Sequence, residues 1–183
     1  MLSDEDKKIL LGIARASIKS GLEHGCPVQV EVDNYPEHLR TDQATFVTLK
    51  INNELKGCIG TLQANQPLVK DVAEHAYAAA FRDPRFNPVT EDEFEKLQYH
   101  ISILSEPETV EFESESDLLT KIRPGIDGLI ISDGFHKGTF LPSVWESLPT
   151  PDSFLRNLKQ KAGLPANYWS DSIKIQRYTV EEF

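Results

Sequence analysis

The stretch FVTLKINNELKGCIGTL, residues 46–62, decides the fold of this chain. Its two halves, residues 46–51 and 56–62, are rich in β-branched and apolar residues, which is typical of strands. Asn52 and Asn53 stand between the halves, and asparagine favours tight turns because it tolerates a left-handed backbone. The stretch therefore predicts an antiparallel β-hairpin.

Helical patterns and a second hairpin surround this stretch. Residues 129–132 and 135–141 predict two further antiparallel strands, joined through an Asp-Gly turn. One helix is predicted to begin at Ser3, which with Asp6 resembles a capping box. Two more are predicted to begin at Pro67 and Pro151, because proline is favoured at the first helical position. Because both hairpins are antiparallel, the pattern favours an α+β fold, with mainly antiparallel sheets flanked by helices, over a doubly wound parallel sheet.

Composition limits the function classes that fit. The 183 residues are 39% hydrophobic and 26% charged, with a formal net charge of -10. We expect a cytoplasmic protein, because we see neither an apolar run long enough to cross a bilayer nor a leader at Met1. Two cysteines give no disulfide framework of the secreted kind, so both are expected to be reduced. The acidic charge disfavours non-specific binding of nucleic acid.

Cys58 has the most informative context of any potential nucleophile in the chain. Gly57 and Gly60 bracket it within a predicted strand, and a glycine there marks a bulge or a close approach by a backbone or a ligand. The structural interpretation, favoured by the local sequence alone, is a small buried hydrophobe. The functional interpretation is a nucleophile or radical acceptor, which needs partial exposure and help in forming the thiolate.

Several residues are candidates for that help. Lys56 precedes Cys58 by two positions, and strand alternation places both on one face unless a bulge intervenes. His100, on a predicted strand at residues 98–104, is a candidate base, although a lone strand histidine is more often structural. Arg82 and Arg85 flank an Asp-Pro pair, where local ion pairing and recognition of a carboxylate or phosphate are equally open.

Metal and nucleotide sites are not predicted. The histidines are scattered without the paired spacing of a zinc site, at His24, His38, His75, His100 and His136. Gly57 and Gly60 lack the longer phosphate-loop pattern. The sequence therefore predicts no metal and no other cofactor.

Six blocks of sequence carry a family resemblance. They read LKGCIGT at 55–61, AFRDPRF at 80–86, HIS at 100–102, GTFLPSVWE at 138–146, KAGLP at 161–165 and RYTVEEF at 177–183. Together they resemble, in the same order, blocks of the AMMECR domain family, and are most similar to the branch called AmmeMemoRadiSam system protein A. The resemblance covers nearly the whole chain.

The resemblance implies a single AMMECR-type domain over residues 1–183, built of two unequal subdomains with a cleft between them near the cysteine motif. It implies association with a Memo-like protein and a radical SAM enzyme, both acting in trans. Some relatives carry a second cysteine where Lys159 stands here, which argues against a redox pair of cysteines. The family's reaction is not established, so whether the chain is an enzyme stays open.

Three functions follow as hypotheses. In the first, the cleft presents Cys58 and His100 as catalytic residues, with substrate contacts from Lys56, Gly57, Gly60, Thr61, Arg82 and Arg85. The second is a non-catalytic protein-binding or scaffold module, in which the glycines serve close packing. The third, weaker because of the acidic charge, is RNA binding through the arginines.

Overall fold

The computed structural model describes residues 2–183 and divides them into two compact units. The first unit runs to Leu104 and includes Glu181–Phe183, and the second is Ser105–Val180. The described residues contain helices and two antiparallel four-stranded sheets. The fold is therefore α+β with antiparallel sheets, as the hairpins predict.

The first unit places helices on one face of its sheet. Its elements are α1 Asp4–His24, β1 Ala44–Ile51, β2 Glu54–Gly60, α2 Leu68–Phe81, α3 Glu91–Phe94, β3 Gln98–Leu104 and, at the end of the chain, Glu181 and Glu182 of strand β8 Val180–Glu182. The strand order is β2-β1-β3-β8, so β2 is an edge strand. Apolar residues of α1 and α2 pack on Val47, Leu49 and Ile101 to form the core of this unit.

The hairpin of β1 and β2 forms as predicted, with one irregularity. Asn52 and Asn53 both have positive φ, 52° and 65°, which suits the twist of a two-residue hairpin turn. Leu49 pairs with Gly57 but Lys50 pairs with Leu55, so Lys56 is an extra residue on β2. This β-bulge interrupts the alternation of side chains before Cys58.

The second unit contains β4 Glu108–Thr109, α4 Glu115–Lys121, β5 Gly128–Asp133, β6 His136–Phe140, α5 Pro151–Lys161 and β7 Lys174–Tyr178. The strand order is β4-β7-β5-β6. Thr150 caps α5, and the ring of Phe154 on that helix stacks on Trp145 at 3.8 Å between centroids. β4 is short, and its two residues, Glu108 and Thr109, pair with Arg177 and Gln176 of β7.

Among the residues described, no helix has the length and apolar character needed to cross a membrane.

Candidate functional site around Cys58

Cys58 lies on the edge strand β2, directly opposite Thr48 on β1. Thr48 alternates with Val47 and Leu49, which are fully buried in the core, so Thr48 and Cys58 share the sheet face opposite to α1 and α2. The Thr48 hydroxyl donates a hydrogen bond to Cys58 Sγ at 3.1 Å. Cys58 is half-buried and its sulfur has a polar neighbour, unlike a cysteine that only fills a core.

The main chain of Cys58 is held from outside the sheet. Its N–H donates to Asp83 Oδ2 at 2.9 Å, and its carbonyl accepts from Arg85 Nη2 at 3.1 Å. An edge strand leaves every second residue with no strand partner for these groups. Asp83 and Arg85 therefore take the place of a neighbouring strand at this one residue. We call these two residues the edge clasp.

The edge clasp is itself a paired unit. Arg85 donates to the two oxygens of Asp83 from Nε at 2.9 Å and from Nη2 at 2.7 Å, and its backbone N–H donates to Oδ1 at 3.1 Å. Asp83 is buried, whereas Arg85 is exposed. The guanidinium of Arg85, with a further contribution from the Cys58 N–H, holds the pKa of Asp83 well below its ordinary value. The same pair raises the pKa of Arg85.

The end of α2 positions the edge clasp. The helix stops at Phe81, and Arg82 closes it with its N–H on the Ala78 carbonyl. Pro84 follows within two residues, and proline disfavours a helical conformation of the residue before it. Asp83 is therefore released from the helix just where α2 passes β2.

The two glycines beside Cys58 are needed for packing within the unit. A Cβ on Gly57 would lie 2.0 Å from the Ala79 carbonyl oxygen, and one on Gly60 would lie 2.3 Å from the Thr45 carbonyl oxygen. Both neighbours are backbone atoms, which no side-chain rotation can move away. The close approach anticipated at these glycines is thus made by α2 and β1.

Lys56 is not brought to the sulfur. The bulge removes the alternation on which a shared face with Cys58 depends, and the Lys56 ammonium instead donates to Glu93 at 2.8 Å. This bond lowers the pKa of Glu93.

His100 lies on the same sheet face as Cys58 but beyond Thr48. The register pairs Thr48 with Cys58 on one side and with His100 on the other. Two strand spacings separate Cys58 from His100, about 10 Å between backbones. Direct proton transfer between the two side chains is not supported by this arrangement.

Arg82 and Thr61, two other predicted substrate contacts, interact with neighbouring residues of the chain. The exposed Arg82 guanidinium lies over the Tyr77 ring, 5.0 Å from its centroid. Thr61 donates its N–H to the Thr45 carbonyl and accepts the Gln63 N–H at its hydroxyl. Of the predicted side-chain helpers, only Arg85 contacts Cys58.

Sequence reasoning missed Thr48 and Asp83 as members of the site. The signal for Asp83 is its place between two arginines, but the contact with Cys58 depends on how α2 meets β2. The signal for Thr48 is the hairpin register, which the bulge makes hard to count. Within residues 2–183, no cluster of three or more potential metal ligands is present.

Comparisons with known proteins identify the family. The AMMECR1 family model matches residues 11–183. An uncharacterised protein of Methanothermobacter thermautotrophicus is 34% identical over 188 residues, covering all of this chain and 95% of the relative. A Thermotoga maritima protein is 40% identical over 154 residues, 82% of this chain and 83% of its own. The crystal structure of an uncharacterized Pyrococcus horikoshii protein superposes with a TM-score of 0.86 at 33% identity, over 99% of this chain and 92% of that one. This chain belongs to the AMMECR1 family.

Proposed function

We propose that this protein supplies Cys58 as the reacting thiol of a three-protein system, in which a Memo-like protein and a radical SAM enzyme act in trans. The resemblance of the six sequence blocks to the AmmeMemoRadiSam branch supports the choice of partners. The choice of residue is supported by the surroundings of Cys58.

The observation that carries the proposal is that Cys58 is held at three points. The Asp83 carboxylate accepts from the Cys58 N–H, and the Arg85 guanidinium donates to the Cys58 carbonyl. The Thr48 hydroxyl donates to the Cys58 sulfur. A reacting group works best when its own position is fixed by packing and hydrogen bonds around it.

In this proposal Thr48 and Arg85 help to form the Cys58 thiolate, the role that the sequence analysis assigns to Lys56 and His100. A hydroxyl that donates to sulfur stabilises negative charge on a thiolate, and a guanidinium beside the residue adds to that effect. Asp83 offsets part of the Arg85 charge, so Thr48 is the principal helper. His100 takes part through a substrate or through Thr48, because it lies one strand too far for direct contact.

A protein-binding module is the alternative function, and the glycines favour it. Gly57 and Gly60 are explained by the chain's own backbone, so the sequence GCIG needs no ligand. In this function the first unit is a rigid surface for a partner, and the thiol is incidental.

Reconstitution with both partners separates the two functions. The Cys58→Ser variant keeps the size of the side chain and removes the thiol. We expect it to abolish turnover while leaving association with the radical SAM enzyme intact. Full turnover with Cys58→Ser would contradict the proposal and would leave the binding module.

A matched pair of variants tests the role given to Thr48. Thr48→Val keeps the shape and removes the hydroxyl, whereas Thr48→Ser keeps the hydroxyl. We expect loss of turnover with valine and its retention with serine. Equal turnover in the two variants would show that the hydroxyl has no part in the reaction.

A further inference from the structure

The second unit contains a surface recess of ≈ 580 Å³ that the proposed function does not use. This volume falls in the range of small-molecule sites. Three segments line it: the start of α4 with Glu115, the first turns of α5 with Asp152 and Arg156, and the loop before β7 with Asn167 and Trp169.

A buried lysine lies behind the wall of this recess. Lys159 on α5 has no solvent exposure, and its ammonium donates to Glu115 Oε1. The same ammonium lies 5.3 Å from the centroid of the Trp169 ring. Both contacts of Lys159 therefore belong to residues that line the recess.

Burial of the Lys159 ammonium, paired with a Glu115 carboxylate that is partly exposed, favours a positioning role. Taking an ammonium out of water costs free energy that one carboxylate does not fully return, so buried ion pairs are weak stabilisers. Their better-supported use is to fix one arrangement of side chains. Lys159 accordingly fixes the Glu115 carboxylate at the wall through Oε1. Within residues 2–183 no hydrogen bond to the second oxygen is found, so that oxygen can accept one from a ligand.

The charges around the recess balance. Lys159 compensates Glu115, and Arg156 lies 3.9 Å from Asp152. An ionic ligand would therefore find no uncompensated opposite charge. The remaining polar groups offer both acceptors and donors: carboxylates, a guanidinium and the amide of Asn167.

From this combination we propose that the recess binds a small uncharged polyhydroxyl compound, such as a pentose or hexose ring. The carboxylates of Glu115 and Asp152 accept from hydroxyl groups, while Asn167 and Arg156 donate to hydroxyl oxygens. The Trp169 ring supplies an apolar surface for the C–H bonds of the ligand, whose slight positive charge suits the negative face of an indole. Lys159 is a positioning residue, since it acts through Glu115.

The test follows the indole N–H resonances of the whole protein by NMR during titration with ribose and with glucose. Trp145 is the internal control, because its indole N–H is buried on the Asp127 carbonyl. We expect a saturable shift of Trp169 with at least one sugar and no shift of Trp145. Asn167 is exposed, so Asn167→Ala should keep the fold and weaken sugar binding about tenfold, the effect of one lost hydrogen bond to a polar ligand.

Two further variants test the role of the buried lysine. Glu115→Gln and Lys159→Met should each weaken binding about tenfold, the first through the acceptor and the second through its position. The absence of a saturable Trp169 shift with either sugar would overturn the proposal. So would a saturable shift with inorganic phosphate or methylammonium alone, or unchanged sugar affinity in both Glu115→Gln and Asn167→Ala.

Discussion

Replacement of Asp83 by alanine gives the sharpest prediction about the edge clasp. The two oxygens of Asp83 accept from the Cys58 N–H, from the Arg85 N–H and twice from the Arg85 side chain. Alanine removes all four hydrogen bonds and leaves the Cys58 N–H at the sheet edge without its acceptor. Asparagine at the same position is the matched control, because it keeps one oxygen and removes the charge.

The loss of unfolding free energy depends on which hydrogen-bonding partners of Asp83 become hydrated in the variant. The Arg85 side chain is 56% exposed, so its ion pair contributes less than about 1 kcal/mol after screening. The Cys58 N–H loses a charged acceptor, which costs about 1.5–3 kcal/mol. We therefore expect Asp83→Ala to lower the free energy of unfolding by about 2–4 kcal/mol and Asp83→Asn to lower it by about half as much.

The assay must report on the first unit alone. Both tryptophans, Trp145 and Trp169, lie in the second unit, so tryptophan fluorescence follows that unit only. Urea unfolding of the first unit is better followed by amide hydrogen exchange. In Asp83→Ala the Cys58 amide should exchange at least about tenfold faster. The Thr61 amide, bonded to the Thr45 carbonyl, serves as a reference in the same strand region.

Two results would refute this reasoning. One is a change in unfolding free energy below about 0.5 kcal/mol, the size of an ordinary surface substitution. The other is acceleration of Cys58 and Thr61 exchange by the same factor, which would indicate general loosening rather than loss of a specific clasp.

The remaining predictions concern packing, pH and the buried lysine. Gly57→Ala places a methyl group against the Ala79 carbonyl oxygen, so urea unfolding should show destabilisation of about 1–3 kcal/mol or more. The depressed pKa of Asp83 means that its carboxylate stabilises the fold above its ordinary pKa of 3.8, and that this contribution falls as the pH drops below that value. The difference in urea midpoint between the wild type and Asp83→Asn should therefore narrow from about pH 5 to about pH 2, and a constant difference would contradict the ion pair. Lys159→Met removes a buried charge and leaves Glu115 partly exposed, so thermal melting should show little loss or a gain in stability, whereas a loss above about 3 kcal/mol would contradict this account.

Local pattern was enough to predict both hairpins and three helix starts to within one residue. The second turn falls at Gly134 and Phe135 instead of Asp133 and Gly134, and Pro67 is the N-cap of α2 instead of its first residue. Asn52 and Asn53 take the positive φ values that their residue type favours, and Ser3 with Asp6 forms the capping box. These features depend on residues within a few positions of one another. Thr150 before Pro151 likewise caps α5 as the sequence indicates.

The composition of the site depends on non-local contacts, which one sequence does not contain. The bulge at Lys56 cancels its predicted alignment with Cys58. The strand order places Thr48 between Cys58 and His100. Asp83 reaches Cys58 because α2 packs closely on β2, with Gly57 directly against the α2 backbone at Ala79. Arg85 pairs with Asp83, the local ion pair that its spacing suggests, and the same pair also reaches the cysteine.

We propose that Cys58 is a reactive thiol in the native protein, and its rate of alkylation tests this most directly. Cys26 is free and exposed, so Cys26→Ser gives a protein with Cys58 as the sole thiol. In this background, iodoacetamide should modify native Cys58 at neutral pH faster than the urea-unfolded chain. Thr48→Val should slow the reaction and Thr48→Ser should preserve it. Modification that occurs only after unfolding would contradict the claim and would make Cys58 a packing residue.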